Sequence, residues 1–159
     1  MVLLLLVACC AKVSAQEIDV AGLIGVWKLE RSGFVEAGTE VIKDFDACRL
    51  SRNFVFRSDN TVDYTYYEGN LDTCYVAEVE TYQWKLERDT LVLESRGYFG
   101  YYLLQMEEKG DLRMEAVKEE STATGDEMLD KMLNTVHFDV YRKQSKPVNC
   151  ADCRVVLKL

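Results

Sequence analysis

Proline and histidine are nearly missing from this chain, and each scarcity closes off a class of answers. One proline in 159 residues excludes proline-rich linkers and polyproline recognition segments. The sole histidine, His137, leaves no second imidazole for a multi-histidine metal site. Basic residues are outnumbered: 19 Lys and Arg face 27 Asp and Glu, for a formal net charge of −8. They form no stripe that could track phosphates, which excludes nucleic acid as a partner. No glycine-rich phosphate loop, strand-to-helix nucleophile elbow or internal repeat is present either. No enzymatic activity, catalytic residue, metal or cofactor is therefore expected. The apolar run Val2 to Cys10 is too short to span a bilayer, which takes about 20 residues.

What is present begins with that run. Followed by Ala11-Lys12 and Val13-Ser14-Ala15, it reads as a secretory leader cleaved after Ala15, although no basic residue precedes it. A competing reading takes Leu6-Val7-Ala8-Cys9 as a lipobox, which would make Cys9 an acylated N-terminus and give the protein its one route to a membrane. A third is a buried N-terminal strand or helix. Export, to a periplasm or the medium, implies oxidised cysteines. Cys48, Cys74, Cys150 and Cys153 allow three pairings, of which Cys48 with Cys74 and Cys150 with Cys153 is the favoured one.

The mature chain alternates apolar and polar residues in short stretches, with turn signals at intervals of about 8 to 15 residues, the spacing of an all-β barrel or sandwich. After an apolar turn or helix at Asp19 to Ile24, strands are expected near Val26 to Phe34, Cys48 to Arg57, from Thr61 through Tyr66, and Tyr75 to Leu86. Four more follow, near Thr90 to Glu94, Tyr98 to Met106, Leu112 to Val117 and Val136 to Arg142. A charged loop fills the stretch up to Ala47. Ser58-Asp59-Asn60, Glu87-Arg88-Asp89 and Ser95-Arg96-Gly97 supply turns. Between strands seven and eight the period changes: Thr124 can cap, and Met128, Leu129, Met132 and Leu133 recur at helical spacing. The apolar face of this short helix is expected to be a lid or brace against the barrel, with a partner-docking surface as the alternative. Arg154 to Leu157 is a candidate ninth strand.

Eight hairpin-linked strands can remove their exposed edges by closing into an up-and-down antiparallel barrel, with room inside for side chains or one small ligand. The expected organisation is a leader over 1–15, a barrel over 16–145 and a Cys-x-x-Cys tail over 146–159.

The opening Leu23-Ile24-Gly25-Val26-Trp27-Lys28-Leu29, with its Gly-x-Trp, resembles the first strand of the bacterial lipocalin-like domain family. The similarity continues through Cys48, Phe54-Val55-Phe56, Ser58-Asp59-Asn60-Thr61, Cys74, Tyr82-Gln83-Trp84-Lys85-Leu86 and Asp89-Thr90-Leu91-Val92-Leu93. It covers about Leu23 to Arg142. It implies that Gly25 and Trp27 are structural, Trp27 packing across the barrel floor, and that Cys48 and Cys74 cross-link the start of the second strand to a later loop. The helix around Met128 and the Cys150/Cys153 tail depart from the pattern.

Tyr64, Tyr66, Tyr82, Trp84, Tyr98 and Tyr102 share strand positions of common orientation and form the candidate ligand-contacting set, an apolar lining with polar tips. Packing of the same residues into a solid core is the bland alternative. Glu78 and Glu80 share the parity of Trp84 and belong at the open rim, because an unpaired carboxylate inside would be costly. His137 is expected to face outward or to be a hydrogen-bonded wall residue. Cys150-Ala151-Asp152-Cys153 could in principle exchange disulfides, but no helix follows it, so a structural bridge is expected. The function these features imply is binding of a small, partly apolar ligand by an exported monomer. The rival is a non-enzymatic envelope or secreted interaction module with a solid barrel.

Overall fold

β-branched and aromatic residues alternate with polar ones along most of the chain, and the backbone follows that period. The computed structural model describes residues 18–36, 38–118 and 124–145. The expected leader with Cys9, the expected Cys150 to Cys153 bridge and the candidate strand at Arg154 to Leu157 lie outside the described residues. Nine strands occur among the described residues: β1 (Gly25–Glu36), β2 (Thr39–Ile42), β3 (Asn53–Phe56), β4 (Thr61–Glu68), β5 (Tyr75–Glu87), β6 (Thr90–Ser95), β7 (Tyr98–Met106), β8 (Leu112–Ala116) and β9 (Val136–Lys143). Two short helices accompany them, α1 (Val20–Leu23) and α2 (Glu127–Asn134).

All pairings are antiparallel, and β3 to β9 follow one another in sequence. Pairing of β9 with β1 closes the ring, so β1 and β3 to β9 make an eight-stranded barrel. Closure leaves no open edge on the ring.

The expected charged loop before Ala47 is partly a strand. Along one edge of β1, β3 pairs only with Gly25 to Lys28, and the edge from Gly33 to Glu36 is taken by β2 as a hairpin. Backbone groups that would otherwise lack ladder partners are satisfied in this way. The second expected strand is shorter than its sequence suggests. Arg49–Ser51 is a single 3-10 turn, so Leu50 sits on no strand face and β3 starts at Asn53.

The interior holds Leu23, Trp27, Leu29, Phe54, Phe56, Val62, Trp84, Leu91, Leu93, Leu104, Leu112, Met114 and Tyr141. At the closed end α1 acts as a plug. Asp19 caps it by accepting from the Gly22 amide at 2.5 Å, its last residue Leu23 is fully buried, and the Trp27 indole Nε1 donates to the Leu23 carbonyl at 2.7 Å. Turn chemistry matches the local sequence. Arg96 and Gly97 both take positive φ, 54° and 83°, the conformation a two-residue hairpin demands. Asp59 Oδ1 accepts from both the amide and the hydroxyl of Thr61.

A bulge between Leu29 and Arg31 shifts the register of β1 against β9. It reverses which residues of β1 point inward, so Trp27 and Leu29 face the core before it and Ser32 and Phe34 face inward after it. Gly33 then points outward, where Phe138 of β9 lies across it: a Cβ at Gly33 would sit 2.6 Å from the Phe138 ring and 2.7 Å from the Val41 carbonyl oxygen. The Arg113 guanidinium covers the other side of that ring at 3.8 Å and is itself held by Glu40 and Glu115 at 2.8 and 2.6 Å. β9 is therefore buried on both faces, which is why its apolar residues do not reveal which face looks into the barrel.

Helix α2 corrects two expectations. Its N-cap is Asp126, which accepts from the Met128 and Leu129 amides, while the Thr124 hydroxyl instead donates to Asp130. Its apolar face does not brace the barrel: Met128 and Met132 are 75% and 66% exposed, and no residue of the helix is buried. Polar contacts tether it, with Lys118 donating to the Met132 and Leu133 carbonyls and Lys131 paired with Glu36.

Candidate functional site

Above the packed layer the barrel does not fill. A cavity of about 280 Å³ remains, just under the roughly 300 to 1,000 Å³ usual for small-molecule sites. Its floor is Phe54, Leu93, Met114 and Tyr141, with Phe54 and Tyr141 in edge contact at 5.2 Å. Tyr64, Tyr82 and Tyr102 form its walls, and Lys43, Phe45, Arg52, His137 and Asp139 lie toward the opening.

The six candidate aromatics part company here. Tyr64, Tyr82 and Tyr102 line the cavity. Tyr66 stands one step outward on β4 and supports the site through Arg52, whose guanidinium lies 3.9 Å from its ring. Trp84 belongs to the core below: it is buried, meets Phe56 edge-on at 5.3 Å and donates from Nε1 to the Thr61 carbonyl at 3.1 Å. Tyr98 is 82% exposed, a correction to its placement. It has the parity of Tyr102, but it pairs with Ser95 at the tip of the β6–β7 hairpin, beyond the end of the cavity. Glu78 and Glu80 are exposed, and Glu80 accepts a hydrogen bond from the Tyr82 hydroxyl.

The polar members were less visible in the sequence. Asp139 lies between His137 and Tyr141 in the alternation of β9, and its carboxylate accepts from the Tyr141 hydroxyl at 3.3 Å. Taking the Phe138 face as the inner one hides this acid, because Phe138 is buried under Arg113 on the outside. His137 is accordingly not an outward residue but a solvent-exposed part of the cavity wall, its ring 6.0 Å from that of Phe34. Burial lowers its pKa, the Lys43 and Lys118 charges add to that, and Asp139 opposes it. Arg52 and Phe45 come from the irregular segment before β3, which has no period for a pattern to detect.

The cavity phenols keep their protons. Burial pushes the Tyr64 hydroxyl from 10.0 up to about 12, against a smaller opposing pull from Arg52. Tyr82 is raised by burial and by its bond to Glu80, Tyr102 by burial and by Asp139, and fully buried Tyr141 mainly by burial. Near neutrality Tyr64 and Tyr102 therefore offer hydroxyl donors set among apolar rings, while those of Tyr82 and Tyr141 are engaged by Glu80 and Asp139. The linkage follows from the direction of these shifts. A phenol whose pKa rises on folding adds stability that is whole below its unfolded value of 10.0 and is lost as pH climbs through the folded value, about 12 for Tyr64. In an ultraviolet titration the folded protein should show a late tyrosine step that coincides with alkaline unfolding, and Tyr64→Phe should remove one tyrosine from it. A single step at the ordinary tyrosine pKa would contradict the burial of these hydroxyls.

The described residues contain no group of three or more His, Cys, Asp and Glu able to hold a metal. Cys48 and Cys74 are joined as a disulfide, with Cα atoms 5.5 Å apart, and tie the turn before β3 to the loop before β5. No curated protein matches the chain. A family model described as a lipocalin-like domain matches residues 23–128, a stretch that starts at the plug and includes β1 to β8.

Proposed function

The chain belongs to the lipocalin-like domain family, and on that premise we propose that it is an exported, monomeric protein that holds one small, partly apolar molecule in the open end of its barrel. The observation that carries this reading is the 280 Å³ cavity above a tightly filled floor. An eight-stranded barrel can be filled by its own side chains, and this one is filled only in part. Binding would be burial without chemistry, stabilised by roughly 25 cal/mol for each Å² of apolar ligand surface removed from water, less the cost of ordering the ligand. The Cys48–Cys74 bond supports an oxidising compartment, in agreement with the leader-like start. No helix among the described residues is long and apolar enough to cross a membrane.

Ala116 lines the cavity opposite Tyr102 and allows a test that spares the fold. In calorimetric titrations with hexanol and hexanoate, the protein should take up at least one of the two. Ala116→Phe should abolish uptake while leaving the thermal midpoint close to its starting value, because the new ring enters open space. Absence of uptake of either probe by the unaltered chain would sink the reading. It would favour instead a protein-docking role, for which the exposed apolar face of α2 is the supporting observation.

A further inference from the structure

We propose that the molecule held in the cavity is a small organic carboxylate, its anionic group received by Arg52. This deepens the ligand-binding reading and rests on it. The guanidinium of Arg52 lies on the cavity wall, with Tyr66 3.9 Å from it and Phe45 5.5 Å from it. Aromatic rings stabilise the charge and orient the plane, yet they accept no conventional hydrogen bonds. Four arginines, Arg49, Arg52, Arg88 and Arg96, form no ion pair among the described residues, and of these Arg52 alone lines the cavity. Arg31, Arg57, Arg113 and Arg142 each pair with a carboxylate, whereas among the described residues no carboxylate lies within 4.0 Å of Arg52 and no acceptor meets its side chain. Its Nε is buried with no partner at all.

Arg52 is half-buried, but an Nε buried without an acceptor is costly, and a partner that supplies two coplanar oxygens, one of them to Nε, removes that cost. Carboxylate is that partner in chemical form, planar and bidentate. The surroundings define the rest of the molecule. Lys43 adds a second positive charge at the same opening, the Tyr64 hydroxyl stands close enough to feel the Arg52 charge, and Phe54, Leu93 and Met114 receive an apolar remainder. Asp139, which also lines the cavity, repels an anion and so favours seating the charged end at Arg52.

Calorimetric titration of the full chain with hexanoate, hexanol and hexylamine separates charge from apolar burial, since the three share one tail. Hexanoate should bind about tenfold or more tighter than hexanol, the range for a hydrogen bond to a charged group, and hexylamine should bind weakest. Arg52→Gln should remove the hexanoate advantage and leave hexanol unchanged. Asp139→Asn should strengthen hexanoate binding. Arg52→Lys, which keeps the charge but not the planar fork, should give an intermediate loss, and it decides the matter if the glutamine variant folds poorly. Equal affinity for hexanoate and hexanol, or hexanoate affinity indifferent to Arg52, would overturn the carboxylate assignment while leaving the cavity reading intact. Failure of all three probes would overturn both.

Discussion

Trp27→Ala should lower the unfolding free energy by about 3 to 5 kcal/mol, the cost of emptying a large aromatic from a packed interior. The side chain is 2% exposed and lies at the closed end, where its indole donates to the Leu23 carbonyl at 2.7 Å. Truncation would act twice. It would open a void beneath the sheet and leave a buried carbonyl without a donor, because Leu23 is the terminal residue of the plug helix and has no continuing turn to satisfy it. Trp27→Phe separates the two effects: the ring volume is mostly kept, the hydrogen bond is lost, and a smaller decrease of about 1 to 3 kcal/mol is expected. Guanidinium unfolding followed through Trp84 fluorescence reads both variants, since the second tryptophan lies elsewhere in the core. A loss below about 1 kcal/mol for the alanine variant would mean that the plug does not depend on Trp27. Hexanoate binding should survive in whatever fraction stays folded, because Trp27 does not line the cavity.

The barrel was legible because its strands obey one rule. Leu91 and Leu93, Phe54 and Phe56, and Leu112 and Met114 repeat at period two and face one interior, and hairpin connections between successive strands leave few topologies other than a ring. The departures have local physical causes. β2 was hidden because the stretch from Thr39 to Ile42 is exposed throughout and lacks an apolar face. The bulge near Glu30 adds one residue to β1, and that single residue moves Ser32 into the cavity and Gly33 out of it. On β9 apolar character does not mark the inner face, since Gly33 and Arg113 build a covered niche for Phe138 outside the ring while Tyr141 packs inside it. Half of the candidate aromatic set reached the cavity for the same reason the barrel was legible. Arg52 did not enter the expectation, because a charge stacked on rings from an irregular segment leaves no periodic trace.

Breaking the Cys48–Cys74 bond should be the other large effect, and it acts mainly through the unfolded chain. The bridged residues are 26 apart in sequence, and closing a loop of that size removes enough freedom from the unfolded ensemble to be worth about 3 to 4 kcal/mol. The folded barrel should keep its shape, because neither cysteine belongs to a strand of the ring. The expected pattern for Cys48→Ser with Cys74→Ser, or for the reduced protein, is therefore an unchanged far-ultraviolet spectrum with a markedly lower denaturation midpoint. Binding should respond more selectively. The turn held by Cys48 leads directly into Arg52 and β3, so freeing it loosens the cation more than the apolar floor, which is built from strands. Hexanoate affinity should fall while hexanol affinity stays near its starting value, and equal loss of both would show that the bond supports the barrel floor instead of the charged opening. A midpoint that does not move on reduction would contradict the loop-closure argument itself.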